Sequence, residues 1–293
     1  MKKYVVIGGP SSEGLAKKIS KKLNAKFLKT ELKIFHDGES KLTIKGMKKA
    51  QKIIVVQSTH TPVDTNLIRA FSLIHQARQM SSEVIAVIPY MGYAKQDKEF
   101  LKGEIITISV IAKLLKAAGA TKLIVVDIHS NEELKFFKIP SKNLSAVPLL
   151  ANHFAKIELH QPLVVSPDLF WENKAKEFAK ILNCEYIALN KQRNRKTGEL
   201  IIKSSRIPKA NFQDMILLDD MVSTGGSIVK AIKFLKKKNL GRIYVACTHA
   251  VLSGNAENRL KKAGVCKIIS TNTISGKYAL VDLSGIISKI IQG

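Results

Sequence analysis

Cysteine is scarce. The 293 residues hold three, Cys184, Cys247 and Cys266, widely spaced and odd in number, which excludes a disulfide framework and gives no zinc-ligand spacing. Such usage suits a reducing compartment, and a cytoplasmic protein is expected. Long apolar runs are missing too. Nothing approaches the roughly 18 uninterrupted apolar residues of a membrane span, so no membrane partner is expected. The apolar stretch from Met1 to Gly8 breaks at Gly9-Pro10 and is too short for a signal-peptide core. Low-complexity segments and clean internal repeats are absent. Carboxylates are the remaining shortage: Asp and Glu number 23 against 48 Lys and Arg, a formal net charge of +25.

That charge admits two readings. A basic surface can release counterions from a nucleic acid, or it can be a lysine-rich solvated face. The lysines fall in small groups such as Lys17-Lys18, Lys48-Lys49 and Lys236-Lys237-Lys238, mostly opposite the apolar stripes of helical patterns, and no aromatic-interleaved basic tract is present. The solvated face is the better reading, and no nucleic-acid partner is expected. The same field would draw in small anionic substrates.

What is present is a soluble globular composition, 45% hydrophobic and 24% charged, in a chain long enough for two cores. Short β-branched runs at Tyr4–Ile7, Ile53–Gln57, Val84–Pro89, Leu123–Asp127, Leu163–Ser166, Tyr186–Leu189, Met215–Asp219, Ile243–Thr248 and Lys267–Ser270 read as strands. Between them, apolar residues three and four apart predict helices, as at Leu15–Leu23, Leu67–Ala77, Ile105–Ala118, Lys174–Leu182 and Ile228–Leu235. Several strand runs are apolar without alternation, the mark of strands buried on both faces. The expected class is α/β, with mainly parallel sheets flanked by helices. Ile139-Pro140-Ser141-Lys142-Asn143 is a polar break, and a domain boundary is expected there.

The most informative segment is Ile216-Leu217-Leu218-Asp219-Asp220-Met221-Val222-Ser223-Thr224-Gly225-Gly226-Ser227, followed by a helical pattern. It reads strand, acidic pair, glycine turn, helix. Gly225 and Gly226 let the backbone turn tightly and bring amides to a ligand. The helix start offers free N–H groups and a positive dipole end that fit a phosphate monoester. Thr224 and Ser227 add hydroxyls. Asp219 and Asp220 would face sugar hydroxyls or a cation. A sugar phosphate with a vicinal diol satisfies both halves. No Lys follows the glycines, so this is not a Walker A loop.

This loop resembles the phosphoribosyl-binding loop of the phosphoribosyltransferase fold. Other segments resemble the ribose-phosphate diphosphokinases: Phe35-His36-Asp37-Gly38-Glu39, Val55-Val56-Gln57-Ser58-Thr59, Ile88-Pro89-Tyr90 through Lys98, Val125-Val126-Asp127-Ile128-His129, Val165-Ser166-Pro167-Asp168 and Thr248-His249 through Gly254. The resemblance spans nearly the whole chain. It implies two phosphoribosyltransferase-like domains, 1–143 and 144–277, with a tail, 278–293, packing back on the first. It also implies a homo-oligomer that moves the diphosphate of Mg-ATP to the C1 hydroxyl of ribose 5-phosphate.

The resemblance assigns roles residue by residue. Asp37, Gly38 and Glu39 would contact ATP bound to a neighbouring subunit; alone they read equally as a solvated turn. Lys95 and Gln96 would hold ATP, though alone they read as a surface loop. The family has Arg where Lys95 stands, and lysine lacks the planar fork that grips phosphate twice. His129 and Asp168 would hold Mg2+, which takes few protein ligands; by itself a strand-end His is more often structural. Leu169-Phe170-Trp171 depart from the family's small residues after Asp168 and put the local backbone in question. Lys191 and Arg193, in the basic stretch Lys191–Lys196, would be catalytic cations, with Arg193 also on the sugar phosphate; alone the stretch is an exposed basic loop. Ser223, Thr224, Gly225, Gly226 and Ser227 would hold the 5-phosphate, and Asp219 with Asp220 the ribose hydroxyls. Many members have Asp where Ser223 stands; amides that cradle phosphate need no carboxylate there. Three rivals share parts of this pattern: a phosphoribosyltransferase, a non-catalytic regulatory paralogue and a nucleic-acid binder.

Overall fold

A computed structural model describes residues 4–99, 101–193, 200–203, 212–235 and 241–293, with backbone alone for 191–193 and 200–203. The chain forms two compact units. The first comprises Met1–Ser145, Asn272–Gly276 and Asp282–Gly293; the second comprises Ala146–Thr271 and Lys277–Val281.

In the first unit the strands are β1 (Tyr4–Gly8), β2 (Lys26–Ile34), β3 (Ser40–Ile44), β4 (Lys52–Val56), β5 (Glu83–Ile88), β6 (Lys122–Val126) and β7 (Ser141–Leu144). They form one sheet in the order β3-β2-β1-β4-β5-β6-β7, parallel except for the antiparallel β2–β3 hairpin at one edge. The apolar, β-branched runs of β4 to β6 are buried on both faces because helices lie over them. Ile54 and Ile85 are at most 1% exposed, and each such burial contributes about 1.5–3 kcal/mol. The helices are α1 (Glu13–Lys22), α2 (Val63–Arg78) and α3 (Thr107–Ala117). On α3, Ile108, Ile111, Ala112 and Leu115 turn inward at spacings of three and four. The polar break after Pro140 is itself structured: Ser141–Leu144 is the edge strand β7, paired with β6.

The second unit holds α4 (Val147–Phe154), β8 (Pro162–Ser166), α5 (Glu172–Leu182), β9 (Glu185–Ala188), β10 (Asn190–Arg193), β11 (Leu200–Lys203), β12 (Asp214–Val222), α6 (Gly226–Leu235), β13 (Arg242–Ala250), α7 (Ala256–Lys262), β14 (Val265–Thr271) and β15 (Ala279–Val281). Six strands make a parallel sheet in the order β15-β14-β13-β12-β8-β9, and β10 pairs with β11 as a separate antiparallel ribbon. Asp214, 1% exposed, anchors the start of β12. Arg242 Nε and Nη2 donate to its two oxygens, each at 2.7 Å, and His160 N–H adds a third bond at 2.6 Å. Burial works to raise the Asp214 pKa, but these donors outweigh it and hold the carboxyl below its usual range. The last helix, α8 (Ser284–Gln292), belongs to the first unit and packs on α1.

Each open sheet reverses its strand order once. The crevice for a ligand in such a sheet lies beyond the carboxyl ends of the strands at that reversal. In the first unit the reversal falls between β1 and β4; in the second it falls between β12 and β8. Among the described residues no helix is long and apolar enough to cross a membrane.

Candidate functional site

The second unit's reversal gathers the acidic pair, the glycine turn and Asp168. β12 and β8 pair in register up to Leu217 and Val165, so Asp219 and Asp220 on one strand and Asp168 after the other leave the sheet at nearly the same level. Along β12 side chains alternate. Asp219 is half-buried and its Oδ1 accepts the Asp220 N–H at 3.0 Å. Asp220 is 3% exposed and its Oδ1 accepts the Met221 N–H at 2.7 Å. Cys247, opposite Asp219 on β13, has its thiol pushed up by burial first and then by the charges of Asp219 and Asp220. It is no nucleophile.

The glycine turn is built so that its carbonyls point backward. Val222 O accepts from Leu252 N–H at 2.8 Å, and Ser223 O from Ser253 N–H at 3.1 Å. Thr224 O accepts from Arg259 Nη1 at 2.9 Å, and Gly225 O from Val229 N–H at 3.0 Å, the first turn of α6. With the carbonyls tied down, the peptide dipoles present N–H groups on the other side. The first amides of α6 have no intrahelical acceptor by the geometry of any helix. The result is a concavity at a helix N-terminus, the geometry that anions favour. Thr224 and Ser227 are exposed and Ser223 half-buried, so hydroxyls rim it. Gly225 carries the turn: its φ is +73°, and a Cβ there would also meet Leu260 at 3.2 Å. Gly226 is different from the expectation. It opens α6 without a left-handed φ, and a Cβ would meet only Thr224 Oγ1 at 3.6 Å. The need for a tight backbone turn rests on Gly225 alone. Ser253 and Arg259, which hold the loop from behind, have no role in the sequence reading. The stretch from Thr248 to Gly254 was a signal for the first; nothing local marks the second.

Asp168 is half-buried, in extended backbone, and its Oδ1 accepts the Trp171 N–H at 3.4 Å, capping the short 3-10 turn Leu169–Trp171. The bulky residues are accommodated: Trp171 is 5% exposed, while Leu169 and Phe170 are exposed. His129 follows β6 in the first unit and is half-buried beside Ser130, which caps the next 3-10 turn. His129 and Asp168 thus belong to different units. Among the described residues no group of three or more His, Cys, Asp or Glu could cage a metal.

The other predicted positions lie on two loops and, against the expectation of a loop at Lys191 and Arg193, on one strand. Asp37, Gly38 and Glu39 form the exposed tip of the β2–β3 hairpin, with Gly38 at φ +91°. Phe35 N–H donates to Glu39 O at 2.9 Å, Gly38 N–H to Phe35 O at 3.0 Å and Glu39 N–H to Asp37 Oδ1 at 3.1 Å. Lys95 and Gln96 are exposed in the loop after β5. That loop is pinned at several points. Tyr93, at φ +63°, donates its hydroxyl to Asp64 at 2.5 Å, and this bond followed by burial raises the phenol pKa. Thr107 Oγ1 donates to Gln96 Oε1 at 2.6 Å. Lys191 and Arg193 stand two residues apart on β10, opposite Ile202 and Leu200 of β11. Asn194, Arg195 and Lys196, the rest of that basic stretch, lie outside the described residues.

Known proteins carry the same architecture. Residues 4–119 match the family model described as the N-terminal domain of ribose phosphate pyrophosphokinase, and residues 210–291 match the phosphoribosyl synthetase-associated domain. A ribose-phosphate pyrophosphokinase of Sulfurisphaera tokodaii is 33% identical over 98% of this chain and 100% of its own length. The chain belongs to the ribose-phosphate pyrophosphokinase family. A ribose-phosphate pyrophosphokinase of Methanobrevibacter smithii is 34% identical, again covering 98% of this chain and all of its own. The crystal structure of phosphoribosylpyrophosphate synthetase from Mycobacterium smegmatis superposes with a TM-score of 0.83 at 26% identity, covering 99% of this chain and 98% of that one.

Proposed function

We propose that this chain transfers the diphosphate of ATP to the C1 hydroxyl of ribose 5-phosphate, with the sugar phosphate held at Ser223–Ser227. The observation that carries the reading is the turn whose carbonyls from Val222 to Gly225 are each hydrogen-bonded, which favours amides turned toward a phosphate. In this reading Thr224 and Ser227 add hydroxyl donors, Asp219 orients the ribose hydroxyls, and Asp220, locked under the strand, shapes that carboxylate's surroundings. The C1 hydroxyl then attacks the β-phosphorus in line and AMP leaves. Lys191 and Arg193 neutralise the charge that grows on the phosphoryl oxygens. No covalent nucleophile is needed; positioning and electrostatics supply the rate.

The carboxylate of Asp168 and the imidazole of His129, both half-buried, are assigned to a hard cation that takes most of its ligands as water and phosphate oxygens, and Mg2+ suits that donor chemistry. When bound, Mg2+ would neutralise the diphosphate oxygens. Lys95, Gln96, Asp37, Gly38 and Glu39 are assigned to ATP. The exposed hairpin tip would serve the nucleotide site of a second copy in a homo-oligomer; sedimentation across protein concentration checks this, and full activity from a monomer would overturn it. The direct test of the reaction is to incubate the protein with Mg2+, ATP and ribose 5-phosphate and look for AMP and the sugar 1-diphosphate. Lys191→Ala should lower turnover about a hundredfold with ribose 5-phosphate affinity unchanged. A change confined to the Michaelis constant would mean that Lys191 binds substrate rather than the transition state.

A further inference from the structure

Arg69, on α2, is 8% exposed, and its hydrogen-bond partners are neutral. Nε and Nη2 donate to one oxygen, Ser40 Oγ, at 3.2 and 2.9 Å, and Nη1 donates to Asn66 Oδ1 at 3.3 Å. No carboxylate pairs with it among the described residues, and burial pushes its pKa down. A buried cation without a counter-charge is unfavourable. A residue kept only to fill space there would be apolar.

Its partners show what the fork holds. Ser40 is the first residue of β3 and pairs with Ile34, the last residue of β2. Everything beyond that rung is the exposed turn from Phe35 to Glu39. The turn's own hydrogen bonds are local; they set its shape but not its place. The β2–β3 ladder and the packing of Leu42, Ile44 and Met47 on the core hold the strands, but an open groove of about 390 Å³ remains between β3 and α2, and Arg69 spans from α2 to Ser40 at the base of the turn. At the other end the fork is rooted firmly. Asn66 Oδ1 also accepts from Gln57 Nε2 at 3.2 Å, and Asn66 Nδ2 donates to His60 O at 2.8 Å. Gln57 and Asn66 are at most 2% exposed.

We infer that Arg69 is a positioning residue for nucleotide binding: it grips Ser40 from a buried polar network and thereby fixes where Asp37 and Glu39 stand. The inference rests on the reading that this turn contacts ATP. Planar geometry matters here, since two N–H groups converge on one hydroxyl while a third reaches Asn66.

The test is steady-state kinetics on Arg69→Gln, Ser40→Ala and the double variant Asp37→Ala/Glu39→Ala, each with a melting temperature. Arg69→Gln should raise the KM for ATP about tenfold, with kcat at saturating ATP and the KM for ribose 5-phosphate within about twofold of the parent. Ser40→Ala should move the same constant in the same direction by a smaller factor, and it decides the matter if Arg69→Gln does not fold. Arg69→Lys should restore only part of the loss. If the turn double variant raises the KM for ATP while the Arg69 and Ser40 variants only lower the melting temperature, Arg69 is structural and the inference fails. If the double variant leaves the KM for ATP unchanged, the turn does not serve the nucleotide and the inference falls with that reading.

Discussion

The two strand-order reversals are the same construction put to opposite uses. In the second unit the loop after β12 turns at Gly225, ties its carbonyls behind it and leaves amides and hydroxyls for a ligand. In the first unit the loop after β1 is also glycine-rich, Gly8-Gly9-Pro10-Ser11-Ser12, and also leads into a helix. Its crevice is filled by the chain itself. Gln57, fully buried at the end of β4, lies so close to Gly9 that a Cβ there would stand 2.0 Å from its Oε1. Ser12 Oγ accepts the Ser58 N–H at 2.8 Å, and Ser11 Oγ donates to Ser58 O at 2.6 Å. The lesson is that a fold supplies a place, and side chains decide whether it is a site.

The largest expected effect separates Gly225 from Gly226. Gly225→Val meets both a left-handed φ and Leu260, so ribose 5-phosphate affinity should fall at least about a hundredfold. Gly226→Ala has room for its Cβ and should cost about threefold or less. Calorimetric titration of both variants decides this, and equal losses would return the tight-turn requirement to both glycines. A smaller effect is expected in the closed crevice. Gly9→Ala should destabilise by about 1–3 kcal/mol through overpacking, with ribose 5-phosphate affinity untouched. Adding Gln57→Ala should recover part of that loss, because it empties the space the Cβ needs. If Gly9→Ala weakened sugar-phosphate binding instead, the two crevices would not be independent in function.

The smallest effect concerns histidines. Burial lowers the pKa of His60 in the first unit; burial, then the charges of Lys267 and Lys156, lower that of His153 in the second. Each folded pKa lies below the unfolded value of about 6.5, so the unfolded chain binds more protons between the two. Stability present above about pH 6.5 is therefore lost as pH falls toward the folded values. His60→Gln should flatten that slope equally at low and high salt. His153→Gln should flatten it less in high salt, where the lysine charges are screened. Melting temperatures against pH at two ionic strengths check both.

The sequence makes the fully buried strands plain, because Ile53–Val56, Leu123–Val126 and Ile216–Leu218 need no alternation to be recognised. It hides the elements with one wet face. β2 reads Lys26-Phe27-Leu28-Lys29-Thr30-Glu31, a charged alternation without a long apolar run, and β3 is similar. β7, β15 and the β10–β11 ribbon are four residues or fewer per strand, too short for a periodic signal. Helices α4, α7 and α8, seven to nine residues each, give an apolar period little more than two turns in which to show itself. The acidic pair and glycine turn were readable because their chemistry is local. Arg259 behind the turn and Arg69 beneath the hairpin were not. Each acts on a partner about thirty residues away in sequence, Thr224 in one case and Ser40 in the other, and no local spacing encodes that.

The order of the chain has a consequence for how the molecule is made. The first unit is not finished when Ser145 has been added. Ser58, fully buried at its crevice, donates its hydroxyl to Thr273 O, and α8, whose Ile287 and Ile291 are buried, packs on α1. Both closing pieces are translated only after Ala146–Thr271, the greater part of the second unit. During synthesis the first unit therefore emerges without the acceptor for the Ser58 hydroxyl and without the helix that packs on α1, and it must wait through more than 120 residues for both. A fragment ending at Ser145 would lack both pieces permanently.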